Sequence, residues 1–509
     1  MLTFLVRRLA SAAVVLLAST FVFFMLVDFA TDPLEELRES SQINREAQME
    51  QRTRLLNLDT PPVLRYFLWL KGLAGFLWGQ GTLGESWRTN REVTDMLAGA
   101  VGVTLRLVVV ATLLAIITGV TVGIASALRQ YTGFDYSITF ASFLLYSLPT
   151  FWVAVLLKQW GAIGFNDFLR DPTIGLWGLI GISLVAGLVW SALVGGEVRR
   201  RLITFAVATA ATAAVLWFVS STGWFLDPSL GPVLIAVTGL AIAFGVTVLS
   251  TGLRNRRALY SAVTVVAIGV ALWLPLQYVF PYATTWLILG LLTVTLAVAA
   301  VVGWAFGGPD RAQSIRTAAL TAVGVALLIF ADRVMQVWRI YSDYSDNRPI
   351  ATIGAATPGL NGDFWVETLD QYTHLILPTT SLLLISFASY TRYSRGSLLE
   401  VLNQDYIRTA RAKGLTERTV VMRHAFRNAL IPLATIIPLD IAAILSGAVI
   451  TERIFGWTGM GNMFITALNG DDPYPVMGFF IVTGTVAVLA NLVADLVYAG
   501  LDPRIRVNA

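Results

Sequence analysis

Cysteine is absent from the 509 residues. That excludes a disulfide framework, a thiolate zinc site and an iron–sulfur ligand set. Histidine is almost absent: His374 and His424 are the only two, and they lie far apart in the chain. Metal-based catalysis therefore has little to build on. Charge is scarce as well. Only 13% of residues are charged, against about a quarter in a soluble domain. The net charge of +4 includes no basic tail, so a nucleic-acid binder is excluded too. No GxxxxGK[ST] loop occurs, so the chain has no P-loop for ATP. No GxSxG, HExxH or GxGxxG constellation stands out.

What the chain has is apolar sequence, 56% of the total. A helix needs about 20 mostly apolar residues to cross a bilayer core. Such runs lie near 9–29, 99–127, 138–160, 173–195, 202–221, 231–252, 259–281, 284–306, 317–336, 375–391, 429–450 and 476–498. Backbone polar groups find no partner in lipid, so each run must be helical. The expected fold class is an all-α polytopic membrane protein with about twelve transmembrane helices.

Charge placement tests that count. With Arg7 and Arg8 inside, the even connections also face inward. They carry Arg129; Arg199, Arg200 and Arg201; Arg254, Arg256 and Arg257; Arg311 and Arg316; a basic loop at 392–428; and Arg504 and Arg506. The outward connections carry Asp167, Asp171, Asp227, Asp343, Asp346, Asp363, Glu367, Asp370, Asp471 and Asp472. Positive charge follows one side at every turn, and a miscount by one span would reverse every later loop. The expectation is a multi-pass protein of the cell membrane with both termini cytoplasmic. The first run reads as an uncleaved span, because Phe29-Ala30-Thr31-Asp32-Pro33 is a poor cleavage site. Arg7-Arg8 reads as a cytoplasmic anchor rather than a twin-arginine signal.

Three segments fall outside the lipid. The external piece 31–98 mixes acids and bases at spacings that suit a solvated helix. Its aromatic run 65–78 is too short to span and reads as an interfacial helix. The piece 337–373 is an irregular external cap. The internal loop 392–428 interleaves apolar residues with Arg392, Arg395, Arg408, Arg411, Lys413, Arg418, Arg423 and Arg427, and implies amphipathic helices broken at Gly414. Composition leaves two readings open for it, attraction to anionic lipid or docking of a cytoplasmic partner.

Several polar or special residues stand out within or beside the spans. Asp440 lies inside the eleventh, and an acid there is either functional or bonded to a neighbouring helix. Asn491 and Asp495 share a face of the twelfth and are expected to join packed helices. Pro149 removes a backbone donor and is expected to kink the third span. Lys158, and the Asp332–Arg333 couple, read as snorkelling or paired groups. Glu452, Phe455, Trp457 and Gly459 follow the eleventh span as an outer gate or an interface turn. His424 reads as structural.

The segment Asp405-Tyr406-Ile407-Arg408-Thr409-Ala410-Arg411-Ala412-Lys413-Gly414-Leu415, continued by Arg423-His424-Ala425-Phe426-Arg427-Asn428-Ala429-Leu430-Ile431-Pro432, resembles the cytoplasmic loop of the dipeptide/oligopeptide/nickel permeases. These are the membrane subunits of ABC importers. The resemblance continues through Gly447-Ala448-Val449, Glu452-Arg453-Ile454-Phe455 and Gly459-Met460-Gly461 to Asn491-Leu492-Val493-Ala494-Asp495 and Asp502-Pro503-Arg504-Ile505-Arg506. Phe4-Leu5-Val6-Arg7-Arg8-Leu9, Gly81-Thr82-Leu83-Gly84-Glu85-Ser86 and Ser147-Leu148-Pro149-Thr150-Phe151-Trp152 extend it to the N-terminal part. One departure is Thr458-Gly459, where the family usually has Pro-Gly.

The resemblance implies a type I ABC-importer permease core: a first helix at 1–30, an external domain at 31–98, and core helices at 99–165 and 374–509. A six-helix membrane module at 166–336 and the cap 337–373 interrupt it. Six spans is an even number, so the sidedness of the core is kept. The module, poor in polar residues, reads as scaffold.

In this reading Arg408, Ala410, Arg411, Ala412, Lys413 and Gly414 form the coupling helix that sits in a separate ATPase. The small residues allow close approach, and the basic ones pair with partner acids. Candidate path or gate residues are Pro149, Phe151, Asp440, Glu452 and Phe455. The implied function is half of a translocation path for di- or oligopeptides or similar small solutes. The implied partners are a second permease subunit, cytoplasmic ATPase subunits, an extracytoplasmic solute-binding protein and membrane lipid, with no nucleic acid. ATP and Mg would sit on the ATPases, with no cofactor in this chain and no enzyme activity of its own.

Twelve spans would also suit an ion-gradient-driven secondary transporter. The position of the basic loop between spans ten and eleven argues against that reading. A membrane enzyme using Asp471 and Asp472 is weakened by the lack of a histidine or metal constellation.

Overall fold

The computed structural model describes residues 2–41 and 43–501. Arg504 and Arg506, with the motif 502–506 and the C-terminal topology expected from it, lie outside the described residues.

The chain opens with α1 (Leu2–Ala30), followed by three short helices, α2 (Glu35–Glu39), α3 (Arg45–Leu56) and α4 (Pro62–Ala74). A two-residue antiparallel pairing of Glu85–Ser86 with Arg91–Glu92 leads into α5 (Val93–Leu128). Next come α6 (Gly133–Ser147), α7 (Thr150–Leu156), a π turn over Leu157–Gly164 and α8 (Phe165–Phe168). Six long helices follow: α9 (Leu176–Val194), α10 (Val198–Ser221), α11 (Gly231–Ser250), α12 (Arg256–Val279), α13 (Thr285–Gly307) and α14 (Arg311–Gln336). After α15 (Trp338–Tyr344) a loop reaches α16 (Phe364–Leu402). The chain then forms α17 (Asp405–Ala412), α18 (Glu417–Thr419), a π turn over Val420–Ala425, α19 (Phe426–Ala429), α20 (Ile431–Phe455), α21 (Met460–Leu468) and α22 (Pro473–Leu501).

The helix α16 defines the two ends of the bundle. Its 39 residues make it about 58 Å long at 1.5 Å per residue, far more than the hydrocarbon core. Asp363 starts it by accepting hydrogen bonds from the Trp365 and Val366 amides, at 3.1 and 2.9 Å. The Phe364 end meets the cap loop and is the cap end; the Leu402 end, beside α17, is the basic end. The expected span 375–391 is thus only the middle of a longer helix, and the first part of the basic loop is helical.

Among the described residues, ten helices are long and apolar enough to cross a membrane, and two bent pairs bring the total to twelve. The first pair is α6 with the helix after it, bent by 103°. Asp135 near the start of α6 is held at the basic end by Arg395. Lys158 Nζ donates to the Ile454 carbonyl at the cap end, at 2.8 Å. The pair therefore traverses the bundle. At Pro149 the structure shows a break rather than the expected kink. Leu148 is extended, as the residue before proline prefers, and α7 restarts after the proline.

The core rests on close helix contact. A Cβ on Gly123 would meet Ser394 Oγ at 2.0 Å, and one on Gly119 would meet Tyr390 Cβ at 2.8 Å. These two glycines, four apart, let α5 lie against α16. Thr391 and Ser394 hydroxyls then reach the Gly119 carbonyl at 3.3 and 3.4 Å. A second cluster joins Phe24, Leu97, Leu445, Phe455 and Met477, packing α1, α5, α20 and α22.

The six helices α9–α14 form two parts. α9 and α10 make a hairpin, and none of the α10 side chains is buried. α11 to α14 form a small bundle attached to α16 through Tyr341 and Trp365, whose indole donates to the Phe280 carbonyl at 2.7 Å. Asp332 neither snorkels nor pairs with Arg333. It is fully buried and accepts from the Leu230 and Gly231 amides at 2.7 and 3.0 Å, capping α11. Trp273 Nε1 and Gln336 Nε2 also donate to it, at 2.7 and 2.9 Å.

Candidate functional site

The basic end carries an elbow built on α17. Asp405 in its first turn and Arg411 in its last complement the helix dipole. Its apolar face turns inward. Ile407 and Ala410 pack with Ala127, Leu398, Val420, Ala425 and Ala429. This bolts the elbow to the ends of α5 and α16. Ala410 therefore faces its own chain, not outward as expected for close approach to a partner, while Ala412 and Gly414 are exposed.

Arg408, Arg411 and Lys413 are exposed on the other face. Arg411 is preorganised by Glu417, its Nε and Nη2 donating to the two carboxylate oxygens at 3.1 and 2.7 Å. That bond holds the Glu417 carboxyl below its usual range. Among the described residues Arg408 has only a loose 3.4 Å pair with Asp405. Gly414 has φ +76°, and no atom lies within 4 Å of where a Cβ would stand. The glycine is there for the left-handed turn, and the space around it is open.

Above the elbow sits a pair with no local sequence signal. Arg395 of α16 donates from Nε and Nη2 to the two oxygens of Asp135 of α6, at 2.7 and 3.0 Å. Ser126 Oγ and the Tyr131 amide complete the carboxylate at 2.5 and 3.1 Å. The pair straps α6 to α16 just inside the basic end. Asp135, a lone acid in a basic connection, was the available hint; its partner, 260 positions away, was not.

At the cap end Glu452 is fully buried. It accepts from Thr104 Oγ1 at 2.5 Å and from the Gly461 and Asn462 amides at 2.7 and 3.1 Å. A Cβ on Gly459 would meet this carboxylate at 2.4 Å. Phe455 is packed in the core, and its carbonyl accepts from the Gly354 amide at 2.8 Å. Both residues belong to a sealed turn joining α5, α20 and α21. The segment between α1 and α5 docks beside it: Ser86 Oγ donates to Asp472 Oδ2 at 2.5 Å and Trp87 Nε1 to the Asp471 carbonyl at 3.0 Å. Burial pushes the Asp472 carboxyl up, partly offset by the bond from Ser86.

The remaining candidates are spread out. Phe151 on α7 is 47% exposed. Asp440 is half-buried on α20 and lies within electrostatic reach of Tyr390 of α16. Asp495 pairs with Arg8 at 3.0 Å, joining α22 to α1. Asn491 is exposed and donates to the Ala487 carbonyl of its own helix at 3.0 Å. Among the described residues no group of three or more His, Asp or Glu is placed to hold a metal ion.

Comparison with known proteins places this arrangement. The family described as binding-protein-dependent transport system inner membrane component matches residues 119–507, and its N-terminal counterpart matches 1–108. The oligopeptide transport system permease protein OppB of Mycobacterium tuberculosis is 44% identical over 155 residues, 30% of this chain and 48% of the relative. The dipeptide transport system permease protein DppB of Escherichia coli K12 is 43% identical over 164 residues, 32% of this chain and 47% of the relative. The oligopeptide transport system permease protein AppB of Bacillus subtilis is 44% identical over 146 residues, 29% and 46%. The chain thus spans about half the length of the curated relatives it matches.

Proposed function

This chain belongs to the inner-membrane components of binding-protein-dependent transport systems, and from that premise we propose that it is one permease subunit of an ATP-driven importer for short peptides. The observation that carries the proposal is the elbow. Its apolar face is fixed to α5 and α16 while Arg408, Arg411, Lys413 and Gly414 stand open. The chain has no P-loop, so the energy comes from a separate ATPase seated on that open face.

In this proposal the basic end is cytoplasmic, in keeping with its arginines. Closure of an ATPase dimer moves α17, and Ile407 and Ala410 pass the motion to α16 and α5. The Asp135–Arg395 pair keeps α6 moving with α16, so the path between this subunit and a second permease changes access as a rigid-body step. A solute-binding protein delivers peptide at the cap end. The module at 166–336 is an insert into the core and acts as scaffold.

The test is to purify the chain from its host membrane, identify what accompanies it, and reconstitute it. An accompanying ATPase and ATP-dependent uptake of a labelled dipeptide support the proposal. Full uptake by this chain alone, driven by an ion gradient, rejects it.

A further inference from the structure

A cavity of about 430 Å³ lies between the π turn after α7 and the cap loop after α15. That volume is typical of a small-molecule site. Asp167, Asp346 and Arg348 line it with Tyr344 and His374, so it offers charge of both signs.

The walls are fixed. Asn166 clasps the loop on one side, its Nδ2 donating to the Ile350 carbonyl at 2.8 Å and its Oδ1 accepting from the Ile350 amide at 3.0 Å. On the other side buried Asp370 accepts from Tyr341 Oη at 3.0 Å, and from Thr357 Oγ1 and its amide at 2.6 and 3.1 Å. Asp346 and Asn347 both have positive φ, 53° and 58°. This turn sets Asp346 and Arg348 two residues apart along one rim.

Two groups are free to take a ligand. His374 is only 4% exposed, and its Nδ1 donates to the Asp370 carbonyl at 2.8 Å. In the neutral ring this makes Nε2 an acceptor, and Nε2 has no hydrogen-bond partner among the described residues. The Arg348 guanidinium likewise has no ion-pair or hydrogen-bond partner among them.

We propose that this cavity binds the zwitterionic backbone of a short peptide, its ammonium against Asp346 and His374 Nε2 and its carboxylate against Arg348. The site lies within this one chain, apart from the path between two permeases, and would hold solute at the cap end before transfer. It rests on the importer reading for its solute class.

The test is calorimetric titration of Ala-Ala into the purified complex in nanodiscs, without nucleotide or binding protein. The expected result is saturable binding that weakens at least about tenfold in Arg348→Gln and in Asp346→Asn, each replacing a charge-assisted bond. Ala-Ala capped by N-acetyl and C-amide groups should bind no better than the variants allow. Unsaturable heats, equal binding of the capped peptide, or unchanged binding by both variants would overturn the proposal. Binding here without ATP-driven uptake would overturn the importer reading instead. ATP-driven uptake with no binding here would overturn only this site.

Discussion

Arg395 grips Asp135 in a bidentate pair at 2.7 and 3.0 Å, tying α16 to α6 across 260 positions of sequence. Asp135 is almost fully buried, while Arg395 keeps about a quarter of its side chain exposed, 27%. Removing one partner of a buried pair costs about 3–5 kcal/mol, and the partial exposure here reduces that to about 2–3. Asp135→Asn and Arg395→Gln should each lower the unfolding free energy in detergent by that amount. The double variant should lose less than the sum; strict additivity would show that the pair is not coupled.

Gly414 separates strain from docking. Asparagine tolerates the left-handed conformation and adds bulk, and no atom of this chain lies near the added Cβ. Gly414→Asn should leave the thermal midpoint of the isolated chain nearly unchanged. ATP-dependent uptake should fall about tenfold or more, the size of a lost coupling between sites. Equal uptake would place the partner elsewhere.

Asp332 caps α11 and receives the Trp273 indole. Asp332→Ala leaves buried donors unpaired and should destabilise by about 2 kcal/mol or more, read as faster proteolysis of the 251–255 connection. Peptide uptake at low temperature should persist if α9–α14 are scaffold.

Asp472 makes the docking of the segment between α1 and α5 pH-dependent. Burial raises its folded-state pKa, so its stabilising contribution is fully present below the unfolded value of about 3.9 and is lost as pH rises through the raised one. Protease resistance of segment 31–92 should increase as pH falls through the raised value towards the ordinary carboxylate range of about 3.9. Asp472→Asn should flatten that dependence, and an unchanged slope would assign it to another group.

These residues show which features were legible in the sequence. Apolar runs were legible as twelve candidate spans, matched among the described residues by ten long apolar helices and two bent pairs, because lipid penalises every exception to helix. The elbow was legible from Ile407 and Ala410 at helical spacing within basic residues, although the direction in which Ala410 faces was not. The break at Pro149 exceeded the expected kink because a missing donor says nothing about the angle at which the next helix restarts. Glu452 read as part of an outer gate or an interface turn, and Asp332 as a snorkelling acid or one paired with Arg333. Their partners are backbone amides and side chains of distant helices, which local pattern cannot reveal.

The absence of cysteine lets the docking of a separate ATPase on the elbow be tested by a single introduced thiol. A single Lys413→Cys substitution introduces the only thiol in the chain, which can carry a short photo-crosslinker in native membranes. The expected result is one dominant crosslinked product, containing a nucleotide-hydrolysing subunit, whose yield changes when ATP is added. Modification of the introduced thiol by a membrane-impermeant reagent from the outside of intact cells, or crosslinks to lipid alone, would contradict it.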